Sequence, residues 1–376
     1  MTSKLPNVGT TIFTVMSKLA NEHNAINLSQ GFPNFPVDEK LTSILQSIST
    51  QSVHQYLPMA GYGPLLEQIA KTIQSSYHRS VNPNTELLVT AGATQGIYTT
   101  IQALVHPGQE VIIIDPCYDC YEPAIILAGG IPVHVALEDD FSIDWNKIEK
   151  AFSDKTAMLI VNNPHNPSGT ILKLSDIENL ETILDKFPKV YLLSDEVYEY
   201  ITFEEKHISA NTREKLIRKT IVVSSFGKTF HITGWKVGYL VAPEHIMNEI
   251  KKVHQFLVFC VNSVAQVALA EYMQQVNVNE LGAFYQDKRD LFRNLIKDNR
   301  FELLKSEGSY FQVASYKNIS NENDVDFTKR LVIEHGVATI PMSVFNADGK
   351  DNHLIRFCYA KDSDTLIKAA EKLCKI

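Results

Sequence analysis

The chain has 376 residues, of which 44% are apolar and 21% are charged, and its formal net charge is −8. This composition suits one large α/β domain plus a smaller one, and the absence of a basic face argues against nucleic-acid binding. No apolar run approaches the roughly 20 residues of a membrane span, and the N-terminus lacks an apolar signal core, so we expect a cytoplasmic enzyme without a membrane anchor.

The N-terminal part of the chain predicts an arm, a loop and two helices. Residues 27–33, Asn-Leu-Ser-Gln-Gly-Phe-Pro, predict an extended loop around Gly31, which by itself is typical of a simple interdomain turn. Helices are predicted over Thr42–Ser49 and Pro64–Gln74. Tyr56 lies between them, where a lone Tyr is more often a packing residue than a ligand contact.

A strand, small residues and a helix then predict an anion site. Glu86–Thr90 predicts the strand, Gly92 and Ala93 interrupt it, and a helix follows over Thr94–Val105. The first N–H groups of a helix are unpaired, and small side chains let a phosphate approach them. The pattern is not G-x-G-x-x-G, which counts against a dinucleotide.

Two further predicted strands end in residues that could meet a cofactor. Val111–Pro116 is almost continuously apolar, as in a buried parallel sheet, and Tyr118 follows its carboxyl end. The Tyr118 ring could stack on a flat heteroaromatic ring or simply fill the core. Ala157–Asn163 predicts the next strand, and the N-P-H-N-P-S-G run after it places Asn166 in a loop, because two Asn-Pro steps exclude regular structure.

Asp195 lies in the stretch Val190–Tyr198, at the end of the apolar strand that this stretch predicts. A carboxylate in such a place needs a partner, because burying a bare charge is expensive. A pyridinium N–H⁺ would supply one, and a protonated ring withdraws electrons more strongly. Tyr198 could donate a hydrogen bond to the same ring. The alternative is that Asp195 caps the next segment and Tyr198 belongs to the core.

Lys228 is the candidate nucleophile. The β-branched run Thr220–Val223 predicts a strand, and the turn-prone residues Ser224–Gly227 place Lys228 on a short loop at its end. Lys236 follows eight positions later. Desolvation and a neighbouring like charge both lower the pKa of a lysine, which makes its amine reactive toward an aldehyde. The alternative is an ordinary surface lysine.

The C-terminal part of the chain adds a candidate anion ligand. We predict a long helix from Pro243 to about Gln275, in which Phe259 is either a core residue or a substrate contact. Arg356 lies in the apolar strand Leu354–Tyr359. A guanidinium group in apolar surroundings requires an anion, and its geometry suits a carboxylate. A structural ion pair is the alternative.

The five cysteines do not predict a metal site. Cys117 and Cys120 form a C-x₂-C pair, but Cys260, Cys358 and Cys374 provide no second pair. A structural zinc site needs four ligands at suitable spacing. We therefore expect small buried apolar residues and no metal.

The segment Ser224–Tyr239, SSFGKTFHITGWKVGY, resembles the lysine segment of pyridoxal-phosphate (PLP) aminotransferases of fold type I, classes I and II. The resemblance runs from about Asn27 to Leu373 and is closest to the bacterial methionine and the kynurenine/glutamine aminotransferases. It implies a large domain with a mostly parallel seven-stranded sheet between helices, and a small α+β domain. We predict an arm and part of the small domain over residues 1–40, the large domain over 41–276, and the small domain over 277–376.

The resemblance also implies the roles of the site residues. Lys228 would form a Schiff base with PLP and then act as a base, while Asp195 would hold the pyridine nitrogen. Asn166 and Tyr198 would contact the phenolic oxygen, and Arg356 and Asn166 would bind the α-carboxylate. The phosphate would be held by Gly92, Ala93, Thr94, Ser225, Lys236 and Tyr56 of the partner subunit in a homodimer. Tyr118 would cover the ring, and Gly31 and Phe259 would contact the substrate.

These features predict an aminotransferase that moves the amino group of an L-amino acid to a 2-oxo acid in ping-pong order. The stretches GYGPLLEQIA, SDEVYEYITF and HGVATIPMSVF are most similar to the methionine enzymes, and aromatic amino acids or glutamine are further possible donors. The alternative is a kynurenine–oxoglutarate/glutamine transaminase with cysteine-S-conjugate β-lyase activity. A dedicated carbon–sulfur β-lyase and a non-enzymatic ligand sensor are the remaining rivals.

Overall fold

A computed structural model describes residues 2–376 as three sheets surrounded by helices. The strands are β1 (Ile26–Asn27), β2 (Leu87–Thr90), β3 (Glu110–Asp115), β4 (Ile131–Ala136), β5 (Thr156–Asn162), β6 (Tyr191–Asp195), β7 (Thr220–Ser225), β8 (Gly238–Val241), β9 (Glu302–Leu303), β10 (Phe311–Ser315), β11 (Val337–Ala338), β12 (Ile340–Pro341) and β13 (Leu354–Cys358). The helices are α1 (Ile12–Glu22), α2 (Glu39–Ile48), α3 (Gly63–Tyr77), α4 (Ala93–Leu104), α5 (Tyr121–Leu127), α6 (Trp145–Ala151), α7 (Leu174–Lys186), α8 (Glu214–Ile217), α9 (Phe226–Thr229), α10 (Glu244–Leu257), α11 (Ser263–Tyr272), α12 (Leu281–Leu295), α13 (Asp324–His335) and α14 (Ser363–Leu373).

The large sheet has seven strands in the order β2-β8-β7-β6-β5-β3-β4. Only β8 runs antiparallel to its neighbours, so the predicted mostly parallel sheet is confirmed. Its strands are apolar on both faces because helices cover both. In β3, Val111 and Ile113 belong to one hydrophobic core and Ile112 and Ile114 to the other.

A second, antiparallel sheet has the order β12-β13-β10-β9, and β1 pairs in parallel with β11. The N-terminal segment therefore packs against the C-terminal part of the chain, since Ile26 is in register with Val337. The three-part division at residues 40 and 276 remains a prediction.

Two local predictions differ from the structure, and one helix was not predicted. The long helix over Pro243–Gln275 is wrong: α10 and α11 are separate helices, and Phe259 between them has a φ of 65°. The Asn262 side chain begins α11 by accepting a hydrogen bond from Ala265 N at 2.9 Å. Lys228 lies in the one-turn helix α9 rather than in a loop. Helix α1 was not predicted at all.

No helix among residues 2–376 combines the length and the apolar character that crossing a membrane requires.

Candidate active site

One cavity of about 240 Å³ opens beside the carboxyl ends of β5, β6 and β7. Ligands of open α/β sheets bind outside such strand ends. Twelve of the fourteen predicted site residues line this cavity: Gly31, Gly92, Ala93, Thr94, Tyr118, Asn166, Asp195, Tyr198, Ser225, Lys228, Lys236 and Arg356. Tyr56 and Phe259 do not.

The Lys228 amine projects into the cavity from α9. Its Nζ atom donates hydrogen bonds to Tyr310 Oη at 2.8 Å and to Gly31 O at 3.0 Å. Burial, assisted by the nearby Arg356 and Lys236 charges, lowers the pKa of Lys228 to about 8. About one tenth of the molecules therefore carry a neutral, nucleophilic amine at pH 7, and about half do at pH 8.

Asp195 is buried at the end of β6, where it pairs in register with Asn162 of β5. Its carboxylate accepts hydrogen bonds from Tyr121 Oη at 2.6 Å and from Val197 N at 3.3 Å. Neither donor is a cation. Burial raises the pKa of Asp195 to about 6, and the Tyr121 hydrogen bond opposes that rise. The geometry leaves this carboxylate able to accept a positively charged N–H.

Small residues at the start of α4 make room for an anion. Gly92 has a φ of 81°, and no side chain caps the helix that follows it. A Cβ atom added to Gly92 would lie 3.3 Å from Cε and 3.4 Å from Nζ of Lys236. The free first-turn amides and this ammonium group therefore face the same small space, as a phosphate requires.

Arg356 is fully buried on β13 and faces the cavity. Its Nη1 donates to Asn166 Oδ1 at 2.6 Å, and its Nη2 lies 3.4 Å from Ser29 O. The guanidinium stacks 3.9 Å from the centre of the Phe311 ring. Its Nε has no hydrogen-bond partner among residues 2–376. Burial lowers the pKa of Arg356 to about 10, yet the group stays charged at neutral pH.

Comparison with known proteins places this site in a family. The family model described as "Aminotransferase class I and II" matches residues 23–373. The chain belongs to this aminotransferase family. Its cofactor is therefore pyridoxal 5′-phosphate. The cavity offers this cofactor a buried carboxylate at Asp195, a buried amine at Lys228 and a small space between Gly92 and Lys236.

Two related sequences and one solved structure illustrate the relationship. The methionine aminotransferase of Escherichia coli is 46% identical, over 99% of this chain and 97% of its own. The kynurenine–oxoglutarate transaminase of Dictyostelium discoideum is 32% identical, over 98% and 94%. The crystal structure of YbdL from Escherichia coli, which identified a methionine aminotransferase function, superposes with a TM-score of 0.98 at 45% identity, over 100% of this chain and 99% of the other.

In this aminotransferase, Tyr118 and Tyr198 border the cavity from two sides. Tyr118 Oη is 3.4 Å from Thr94 Oγ1, and its ring meets that of Tyr121 edge-on at 5.8 Å. The Tyr198 ring meets that of Tyr310 edge-on at 5.1 Å. Burial raises the pKa of both cavity tyrosines, so their hydroxyl groups keep their protons at neutral pH.

Tyr56 and Phe259 lie outside the cavity of their own protomer. Their rings meet edge-on at 5.3 Å, and Tyr56 is 82% exposed. Phe256, on the last turn of α10, is 88% exposed. The protein surface here therefore carries three aromatic side chains that a single chain does not bury. The role predicted for Phe259, contact with the substrate, is not met within one protomer.

Two residues that contact the reactive groups were missed by the sequence analysis. Tyr121 begins α5 three residues after Tyr118, so the repeated aromatic residues could have drawn attention to it. Tyr310 immediately precedes β10, and no local motif distinguishes it from a core residue. Among residues 2–376, no group of three or more His, Cys, Asp or Glu side chains could hold a metal ion.

Proposed function

We propose that this aminotransferase moves the amino group of an L-amino acid, preferably methionine, to a 2-oxo acid. The observation that carries the proposal is that a buried amine of lowered pKa and a buried guanidinium with a free N–H line the same cavity. An α-amino acid presents a carboxylate, which the guanidinium can bind, and a proton on Cα, which the amine can take. The 46% identity to a methionine aminotransferase supports the choice of donor.

Arg356 and Asn166 would orient the substrate through its carboxylate. The Nε of Arg356 is unpartnered, and its Nη1 is held by the Asn166 amide oxygen, so two N–H directions are fixed before substrate arrives. A guanidinium offers paired donors in the geometry that a carboxylate accepts. This contact would aim the Cα–H bond toward Lys228.

Lys228 would then hold and move a proton at Cα. Bound PLP supplies an aldehyde that joins the amino group and a ring that withdraws electrons from Cα. As a neutral amine, Lys228 Nζ can take the Cα proton and carry it as an ammonium group. Asp195, ionised above its pKa of about 6, would keep a proton on the neighbouring ring nitrogen. Tyr198 and Tyr118 would fix the position of that ring.

The walls around the substrate side chain are largely apolar. Phe13, Phe32 and Ile97 line the cavity together with Phe311. Aromatic rings form favourable contacts with a thioether sulfur. Because an apolar pocket distinguishes poorly between similar side chains, aromatic amino acids and glutamine are expected as weaker donors.

A homodimer and a cytoplasmic location belong to the same proposal. The exposed rings of Tyr56, Phe256 and Phe259 form an apolar surface suited to burial against a second copy, which would bring Tyr56 of the partner subunit toward the phosphate.

The proposed cytoplasmic location is supported by the cysteines. All five cysteines are free, as is usual in a reducing compartment.

The test is a panel of amino acids with several 2-oxo acids, run on the wild type and on Lys228→Ala. We expect methionine to give the highest kcat/KM and Lys228→Ala to lower kcat by about 10⁴-fold or more. If aspartate or alanine equals methionine, the substrate assignment is wrong. If Lys228→Ala turns over normally, the mechanism is wrong.

The alternative of a kynurenine–oxoglutarate transaminase rests on the 32% identity to such an enzyme. The same panel separates the two by including kynurenine and a cysteine S-conjugate. Pyruvate and thiol formed from the conjugate without a 2-oxo acid would indicate β-lyase activity.

A further inference from the structure

The Tyr310 hydroxyl joins two groups of the cavity that are far apart in sequence. It lies 2.6 Å from Gly31 O and 2.8 Å from Lys228 Nζ, while Lys228 Nζ lies 3.0 Å from Gly31 O. These three polar atoms therefore form a closed triangle. The Tyr310 side chain is fully buried, so water does not compete for these hydrogen bonds.

The positions of the protons in this triangle follow from the chemistry of its members. A carbonyl oxygen can only accept, and a phenol has a single proton to donate. The Tyr310 proton is directed at Gly31 O across the shorter distance, which leaves the lone pairs of Tyr310 Oη facing Lys228 Nζ. The lysine therefore donates to both oxygens. Burial raises the pKa of Tyr310 well above its usual value, so the phenol keeps its proton.

The Tyr310 ring cannot easily turn away. It contacts three aromatic rings at centroid distances of 5.1 Å for Tyr198, 4.9 Å for Phe311 and 5.5 Å for Tyr285. It also directly precedes β10, whose Val313 pairs in register with Arg356 of β13. The hydroxyl is thus fixed relative to both the lysine and the proposed carboxylate ligand.

We propose that Tyr310 is a further catalytic residue, which holds the Lys228 amine and the Gly31 backbone in one hydrogen-bonded group. The inference rests on the proposed role of Lys228 as the base. When Lys228 takes the proton from the substrate carbon, its ammonium form donates to Tyr310 Oη and Gly31 O. Tyr310 keeps its own proton throughout. The amine is therefore held at one place between accepting and releasing the proton.

The matched pair of variants is Tyr310→Phe and Tyr285→Phe. Both tyrosines are fully buried and in contact, but the Tyr285 hydroxyl has no hydrogen-bond partner among residues 2–376. With the holoenzyme, we expect Tyr310→Phe to lower kcat about 10- to 100-fold, as the loss of a hydrogen bond to a charged group implies. The KM for methionine should change little, because Arg356 and Asn166 remain. Tyr285→Phe should keep the wild-type kcat.

A second readout does not depend on turnover. In the full-length protein freed of cofactor, trace labelling of amines at a series of pH values, followed by mass spectrometry, gives the pKa of Lys228. A hydrogen bond accepted by Tyr310 stabilises the ammonium form more than the amine. Tyr310→Phe should therefore lower the pKa of Lys228 by about one pH unit, and Tyr285→Phe should leave it unchanged.

The outcomes separate this inference from the proposed function. If Lys228→Ala is inactive but Tyr310→Phe matches Tyr285→Phe in kcat and in the pKa of Lys228, Tyr310 is only a packing residue. If the pKa of Lys228 rises in Tyr310→Phe, the assigned donor direction is wrong. The unfolding temperatures of both variants are measured as well. All kcat values are then compared at a temperature at which both variants are folded, and each is divided by the amount of bound cofactor.

Discussion

The two sides of the cavity are built in different ways. The sheet side consists of residues at or just beyond strand ends, namely Gly92, Asn162, Asp195, Ser225 and Lys228. Neighbouring strands fix these positions directly, since Asn162 pairs in register with Asp195. Parallel pairing of β5, β6 and β7 places their carboxyl ends at the same edge of the sheet. The antiparallel strand β8, which pairs with both β2 and β7, brings Gly92 to that edge.

The cover side consists of Gln30, Gly31, Phe32, Phe311 and Arg356. It is assembled from segments about 300 residues apart. Cys358 N donates to Leu28 O at 2.8 Å, and Lys361 Nζ donates to Phe32 O at 2.7 Å. Leu28 and Phe32 lie in the loop after β1, whereas Cys358 ends β13 and Lys361 follows it, so hydrogen bonds between segments far apart in sequence hold this side. We propose that the sheet side carries the cofactor and that the cover side selects the substrate.

The largest effect is expected on the sheet side. Asp195→Asn keeps the shape of the side chain but removes its charge, so kcat should fall about 10³-fold because the positive ring nitrogen loses its partner. Steady-state kinetics with methionine would measure this. The matched control is Asp115→Asn, a buried carboxylate at the end of β3 that bonds His134 and Ala347 N and does not line the cavity. A wild-type kcat in Asp195→Asn would contradict the assignment of this carboxylate.

The next effect tests the cover side. Arg356→Lys retains a positive charge but loses the planar set of donors, so the KM for the amino acid should rise about 10- to 100-fold with a smaller change in kcat. Arg330→Lys is the control, since Arg330 forms an ion pair with Glu322 on the surface. If KM stays unchanged in Arg356→Lys, the cover side does not select the carboxylate.

A smaller effect is expected from a substitution in the space between Gly92 and Lys236, where we place the phosphate. This substitution leaves every charged residue unchanged. Gly92 and Gly108 have almost the same φ, 81° and 82°, but a Cβ atom meets Lys236 only at Gly92. Alanine at either position should reduce the free energy of unfolding by about 1–3 kcal/mol through backbone strain, and at Gly92 the ψ of 167° completes a conformation that only glycine adopts readily. Only Gly92→Ala should also weaken PLP binding, by about tenfold. Absorbance titration with PLP measures the affinity, and equal affinities in the two variants would place the phosphate elsewhere.

Sequence patterns predict the sheet side better than the cover side, for a physical reason. Asp195 ends an apolar strand and Lys228 follows one, so each could be located from local sequence alone. Arg356 could also be identified, because a charged residue is unusual in an apolar strand. Tyr310 could not be identified from local sequence, because its importance depends on a contact with Gly31, which lies 279 positions away.

One break and one additional helix that were not predicted have a common cause. The interruption between α10 and α11 contains neither Gly nor Pro, and the positive φ of Phe259 gives no signal in an apolar stretch. Helix α1 was missed although Met16 and Ala20, four residues apart, are its buried positions. Tertiary packing decided both features, and local propensity did not.

The smallest effect concerns Lys228, which contacts both sides of the cavity. A neutral amine is needed to join the PLP aldehyde, and the ammonium form below its pKa has no free electron pair. With a pKa of about 8, the rate at which PLP joins the cofactor-free protein should increase about fivefold from pH 7 to pH 8 and level off above pH 9. Stopped-flow absorbance measures this rate, and Nα-acetyl-lysine corrects for the ionisation of PLP itself. Tyr310→Phe should shift the midpoint to lower pH. A midpoint near 10.5, the value for an exposed lysine, would mean that neither side of the cavity alters the amine.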